Sequence, residues 1–183
     1  MPVWLPAKGL KDKAHEDRAP YDIWRQKGFL EVVPGPVIEY GHVAKAIRKS
    51  FERYEIRKFA YDRWRMQALV PYLKLEGVDE SLIDERFESF GQGFKSMSPA
   101  CRGLERLLAS GKIRHGGNPI LRWNAANAMA KVDPAENIKL VKKHEAQRID
   151  GIIALAMAIG VMEADIGERR VESIYETRAP LVI

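Results

Sequence analysis

Over residues 41–54 the apolar positions Val43, Ala46, Ile47 and Phe51 recur at helical spacing, while Lys45, Arg48, Lys49 and Arg53 take the opposite face. That pattern predicts an amphipathic helix. Residues 56–62 alternate and predict a strand ending at Asp62. Residues 66–75 read as a helix with Pro71 near its start or at a kink, and residues 87–94 as a short strand closing on Gly91 and Gly93. Over residues 99–110, Leu104, Leu107 and Leu108 form one helical stripe, and Gly111 suits a left-handed cap. Upstream, residues 9–28 predict a helix anchored by Ile23 and Trp24, broken or reopened at Pro20 and stopped at Gly28. Residues 29–38 predict a strand interrupted by Pro34, Gly35 and Pro36, hence an edge strand or a sharp bend. Downstream, residues 115–119 form a loop, residues 121–131 fit either a strand or a helix, and Asp133-Pro134 marks a turn. An apolar helix over residues 147–164 has Asp150 in its first turn. The alternation of helix and strand predicts a mixed α/β domain with an open sheet.

Composition narrows the class. At 183 residues, with 46% hydrophobic and 30% charged positions, the chain has enough apolar surface for one core. The longest apolar run, residues 151–162, is shorter than the ~20 residues that cross a bilayer, so it reads as a buried helix and no membrane role is expected. Met1 runs into Pro2, Trp4 and Pro6 with no apolar leader behind it, so the protein is expected to stay in the cytoplasm. The lone Cys101 excludes a disulfide within the chain and a cysteine metal cage; its expected role is packing. The net charge of +5 is concentrated in residues 112–148, where eight basic residues face only Asp133, Glu136 and Glu145. These are Lys112, Arg114, Arg122, Lys131, Lys139, Lys142, Lys143 and Arg148. Such a cluster suits a polyanion such as DNA, although a merely solvated face has the same composition.

No phosphate-cradling or dinucleotide glycine loop occurs, since Gly91-Gln92-Gly93-Phe94-Lys95-Ser96 has the wrong spacing. His15, His42, His115 and His144 are scattered without metal-ligand spacing and read as surface or loop residues. Asp62, at the carboxyl end of a predicted strand, lies where open α/β sheets set their sites, yet a turn or capping acid fits equally. Asp150 is an acid at the edge of an apolar helix; it either answers the helix dipole or projects into a site.

Several blocks in fixed order carry a resemblance. Trp4-Leu5-Pro6, Asp17-Arg18-Ala19-Pro20-Tyr21-Asp22-Ile23-Trp24 and Pro34-Gly35-Pro36-Val37-Ile38-Glu39-Tyr40 are followed by Ala60-Tyr61-Asp62-Arg63-Trp64 and Gly91-Gln92-Gly93. Ser98-Pro99-Ala100, residues 111–119, Arg148-Ile149-Asp150-Gly151-Ile152 and the tail Ser173-Ile174-Tyr175-Glu176-Thr177-Arg178 complete the series. Together they resemble the nuclease domain of the tailed-phage terminase large subunit over nearly the whole chain. The resemblance implies a ribonuclease H-like α/β fold, a mixed sheet flanked by helices and truncated at its N-terminus. It matches residues 60–64 to a catalytic strand, Gly91-Gln92-Gly93 to the next strand and Ser98-Pro99-Ala100 to a helix start. The implied layout is one nuclease-like domain: residues 1–40 as N-terminal helix and edge strand, 41–164 as core, and 165–183 as tail.

By the same resemblance Asp62 and Asp150 are catalytic ligands of two Mg²⁺ or Mn²⁺ ions that cleave concatemeric double-stranded DNA during packaging in a bacterial host. The implied partners, besides DNA, are other terminase or portal components. The family's first catalytic aspartate belongs to an initial strand that would precede Trp4, and its ATPase motor lies further upstream. Two ions held closely together need more carboxylate oxygen than Asp62 and Asp150 provide, so weak or lost cleavage is expected. Glu39, Asp12, Asp17 and Asp22 are available as substitutes, with no motif favouring any of them. The rival expectation is a non-catalytic prophage remnant that binds DNA or protein. A basic DNA-binding regulator of another family is disfavoured by the absence of a helix-turn-helix or zinc-finger pattern.

Overall fold

Parallel strands cannot be joined by a tight turn, and the first half of the chain is built from two parallel pairs, each closed by a helical crossover. The computed structural model describes residues 3–64 and 66–171. The matched tail, residues 173–178, lies outside the described residues. Strand β1 (Trp4–Pro6) runs parallel to β2 (Glu31–Val33), with Leu5 opposite Val32. Between them lie α1 (Leu10–Glu16) and α2 (Tyr21–Gln26). The helix expected over residues 9–28 is thus two helices, because Arg18 at φ 50° and the ring of Pro20 turn the chain between them. Trp24 is buried, but Ile23 is 45% exposed and anchors nothing. The strand expected over residues 29–38 shrinks to three residues, since Pro34 and Pro36 have no N–H to donate to a ladder.

The helix α3 (Tyr40–Arg53) forms where the apolar spacing predicts it and buries Ala44 and Ile47. Strand β3 (Phe59–Tyr61) is shorter than the predicted alternation and ends one residue before Asp62. After α4 (Met66–Leu75) and α5 (Glu80–Arg86), strand β4 (Phe87–Ser89) pairs parallel with β3. Phe59 lies opposite Phe87 with ring centroids 4.8 Å apart. Helix α5 has no counterpart among the predicted elements. Gly91-Gln92-Gly93, matched by resemblance to a strand, is instead the loop from β4 into α6 (Phe94–Ala109).

Helix α6 begins five residues before Pro99, which had read as its start. Proline is common in a first helical turn, but here it lies inside the helix and leaves the carbonyl four residues earlier without its amide partner. The buried stripe is Met97, Cys101 and Leu104, whereas Leu108 is 53% exposed. Gly111 takes the predicted left-handed conformation at φ 64°.

Residues 121–131 are divided between two elements. Helix α7 (Pro119–Asn127) is followed directly by β5 (Ala128–Val132), which pairs antiparallel with β6 (Ile138–Lys142). At the hairpin tip the Asp133 carboxylate accepts from the amides of Ala135 and Asn137 at 2.9 and 2.8 Å. The side-chain amide of Asn137 donates to it as well, and these bonds hold the carboxyl below its ordinary range. The chain ends its described course in α8 (Asp150–Val171), which packs on α6, α7 and β3. The expected open sheet is replaced, among the described residues, by three two-stranded sheets. The largest core cluster joins Met97, Cys101 and Leu104 of α6 to Ile149, Ile152 and Ala156. No described helix is long and apolar enough to cross a membrane.

Asn118 caps α7: its Oδ1 accepts from the amides of Ile120 and Leu121 at 3.0 and 3.1 Å, and Pro119 supplies a preset φ behind it. Asn118→Ala is expected to cost about 1 kcal/mol, read as a small fall in melting temperature. An unchanged melting temperature would deny the cap that role.

Candidate functional site

Asp62 follows β3, just before a bend at Arg63, at the carboxyl end of the β3–β4 pair. Its Oδ1 accepts from the Trp64 amide at 3.2 Å, a local turn contact that aspartate makes readily. Its Oδ2 accepts from Gln92 Nε2 at 2.7 Å, in the loop entering α6. That loop is held against β3 because the Phe90 amide donates to the Tyr61 carbonyl at 2.8 Å. The carboxylate is thus oriented from two sides while the residue stays half-exposed. Beside it Trp64 is 73% exposed, with the Arg63 guanidinium 5.3 Å from its ring centre.

Asp150 opens α8 and is exposed at a cavity of about 380 Å³. The cavity wall includes Trp4, Leu5 and Trp123, with Lys13 and Arg148 as its basic residues. Two buried asparagines on α7 hold the backbone around Asp150: the Gly151 amide donates to Asn124 Oδ1 at 2.6 Å, and Asn127 Nδ2 donates to the Arg148 carbonyl at 3.2 Å. Gly151 is required by this contact, since a Cβ there would stand 2.8 Å from Asn124 Oδ1.

Arg148, counted among the surface cations, has an internal partner. Its Nε lies 3.1 and 3.2 Å from the two carboxylate oxygens of Asp17, whose side chain is 1% exposed. The Tyr21 hydroxyl donates to the same carboxylate at 2.6 Å. Burial, then the hydrogen bond to Asp17, pushes the Tyr21 hydroxyl far above its ordinary range. Sequence reasoning placed Asp17 and Tyr21 in a family block, offered Asp17 as a substitute metal ligand, and gave neither this role. The i, i+4 spacing of the two was visible, but nothing local signals a partner 131 positions away.

The other basic residues are spread over several elements. Lys112 and Arg114 are exposed in the loop after α6, and Arg122 is exposed on α7. Lys131 and Lys139 stand directly opposite each other on the hairpin, where like charges repel. Lys139 Nζ also lies 4.8 Å over the Phe94 ring. Lys142 is exposed near the end of β6, and Lys143 Nζ donates to the Ala126 carbonyl at 2.7 Å. Of the histidines, His42 departs from the surface-or-loop reading: it sits on α3, edge-on to Trp4 at 5.3 Å, with Nε2 3.5 Å from Glu31.

A hard divalent ion prefers carboxylate and amide oxygens, and Asp62 and Asp150 offer that kind of donor. Among the described residues, however, no group of three or more histidine, cysteine, aspartate or glutamate side chains gathers at one point. The two carboxylates fit such an ion in kind and supply part of its shell. Of the substitutes considered from sequence, Asp17 is committed to Arg148, while Asp12, Asp22 and Glu39 are exposed.

Residues 2–167 match the family described as terminase large subunit, endonuclease domain. The terminase large subunit of Enterobacteria phage HK97 is 36% identical over 166 residues, covering 91% of this chain and 32% of that protein. Protein YmfN of Escherichia coli K12 is 26% identical, over 86% of this chain and 34% of that protein. The chain therefore spans about a third of the length of these relatives. The crystal structure of the HK97 large terminase superposes with a TM-score of 0.78 at 37% identity, over 86% of this chain and 32% of that one. The large terminase nuclease of thermophilic phage G20c superposes at 0.52 with 13% identity, over 68% and 63%, a likeness of fold alone. The architecture is the ribonuclease H-like mixed α/β fold expected.

Proposed function

Since this chain belongs to the terminase large subunit endonuclease family, we propose that it is a divalent-metal-dependent nuclease module cleaving duplex DNA during phage genome packaging, with Asp62 and Asp150 as metal ligands. The observation that carries the reading is that each carboxylate has its own brace, Gln92 for Asp62 and Asn124 at the residue after Asp150. The course of β3 along α8 agrees with a shared site. Residues 55–58 border a cavity with Ala158, Val161, Met162 and Asp165, and Arg57 pairs with Asp165. Further along, Ala60 packs on the cluster containing Ile149, Ile152 and Ala156. Five residues of fully extended chain, of which Phe59–Tyr61 are strand, advance at most about 16 Å, which corresponds to roughly eleven residues of helix. A segment that meets α8 near Asp165 at Arg57 and the Ile149–Ala156 cluster at Ala60 heads toward the end of α8 where Asp150 lies.

A bound Mg²⁺ or Mn²⁺ pair would supply a water activated at neutral pH and charge neutralisation at the departing oxygen. The chain's own residues do the rest. The Trp64 amide and Gln92 hold the two Asp62 oxygens, one each, and Asn124 and Asn127 fix the backbone from which Asp150 projects. The basic residues of the 112–148 segment other than Arg148, which Asp17 holds, neutralise backbone phosphates, which carries no base readout. The setting is the bacterial host cytoplasm, with other terminase or portal components as partners. The lack of a three-carboxylate group among the described residues favours a second reading, a DNA-binding module without cleavage. Cleavage of plasmid DNA on adding Mn²⁺, absent with chelator, supports the nuclease; binding without cleavage supports the second reading.

The facing pair Lys131 and Lys139 gives the phosphate-binding proposal a specific form, because an anion between them relieves their repulsion. Lys131→Ala with Lys139→Ala is expected to weaken duplex binding equally for unrelated sequences. It should also reduce the slope of log affinity against log salt by roughly 1 per lysine. An unchanged salt slope would remove the hairpin from the DNA surface.

A further inference from the structure

Arg148 stands two residues before Asp150, and both line the same cavity. A guanidinium on the same cavity wall competes with any other cation for the carboxylate, yet its Nε faces both oxygens of Asp17. Asp17 is itself held by the Tyr21 hydroxyl and is almost wholly buried. The Arg148 side chain is not what anchors the start of α8: Asn127 holds its carbonyl and Asn124 the Gly151 amide.

We propose that Asp17 is a positioning residue that keeps the Arg148 guanidinium off Asp150, leaving the Asp150 carboxylate open to a divalent cation. Without Asp17, Asp150, two residues away on the same cavity wall, is an anion the freed guanidinium can turn to. An arginine paired there would occupy oxygens that a hard ion needs and repel the ion electrostatically. The inference rests on reading Asp150 as a metal ligand.

Mn²⁺ added to ¹⁵N-labelled chain gives a readout independent of cleavage, through paramagnetic broadening of the Gly151 amide signal. The natural chain should broaden, and Asp150→Asn should not. Asp17→Asn should need roughly 10- to 100-fold more Mn²⁺, the range that supporting residues around metal sites command. The double variant Asp17→Asn/Arg148→Gln should return near the natural chain, because the competitor is gone. Arg148→Gln alone, which leaves the Asp17 carboxylate intact, should bind Mn²⁺ no more weakly than the natural chain. Asp17→Asn indistinguishable from the natural chain, a double variant as impaired as Asp17→Asn, or weakened binding in Arg148→Gln would each overturn the inference and leave the metal reading standing. Broadening that is absent from the natural chain, or that survives Asp150→Asn, would overturn the metal reading and this inference with it.

Discussion

Asp150→Asn is expected to lower Mn²⁺-dependent cleavage of duplex DNA by two to three orders of magnitude while leaving DNA binding nearly unchanged. Asparagine keeps the size of the side chain and one carbonyl oxygen but removes the charge, so the fold is not the variable tested. A metal that activates water and stabilises a departing oxygen supplies several kcal/mol of transition-state stabilisation, and about 1.4 kcal/mol corresponds to a tenfold change in rate. Losing one charged ligand from a shell to which the described residues contribute only part should forfeit most of that. Asp62→Asn should behave alike, and the two together should be little worse than either, because groups acting as one unit are not additive. Nicking of supercoiled plasmid, followed against Mn²⁺ concentration in the chain and in any longer form of the protein, reads the effect. Cleavage undiminished by Asp150→Asn would sink the site assignment.

The largest effect on stability is expected at the contact between α6 and α8. Gly160 faces the Phe90 ring and Ala100 so closely that a Cβ would meet ring carbons at 2.7 and 2.8 Å and the Ala100 Cβ at 3.1 Å. Phe90 packs against the α6–α8 core cluster, and its backbone is tied to the Tyr61 carbonyl, so the ring has little room to give. Forcing a side chain into a packed interior costs about 1–3 kcal/mol, and Gly160→Leu, with four carbons to house, should reach the upper end or exceed it. A loss of about 3 kcal/mol lowers the melting temperature of a domain this size by roughly 6–12 °C. The same displacement pushes on the segment leading to Gln92, so Asp62 loses part of its orientation. Gly103→Ala is the milder comparison. A Cβ there would stand 2.7 Å from the end of Glu163, a side chain paired with Arg106 that can swing aside. A Gly160→Leu melting temperature equal to that of the natural chain would show that the two helices separate more easily than their packing suggests.

What the amino-acid order determined by itself is what neighbours decide among themselves. Helix α3 follows from three-to-four spacing, α4 has the bounds its pattern predicts, and Gly111 takes its left-handed turn because no side chain opposes it. Asp62 and Asp150 stood out as an acid after a strand and an acid opening an apolar helix, and the metal role proposed for them came from the order of the family blocks, not from their spacing. Other features waited for the folded chain. Pro99 read as a helix start because proline suits a first turn, yet packing of Met97 against α8 carries α6 past it in the N-terminal direction. Residues 121–131 could not be assigned because the α7–β5 junction has no breaker; Asn124 and Asn127 turn inward toward α8 while the next residues pair with β6. Strand pairing and the link between Asp17 and Arg148 depend on loop closure over tens of residues, a cost recovered only when many distant contacts form together. Local periodicity cannot encode which of many charges will be buried against which, and that choice sets the surroundings of Asp150.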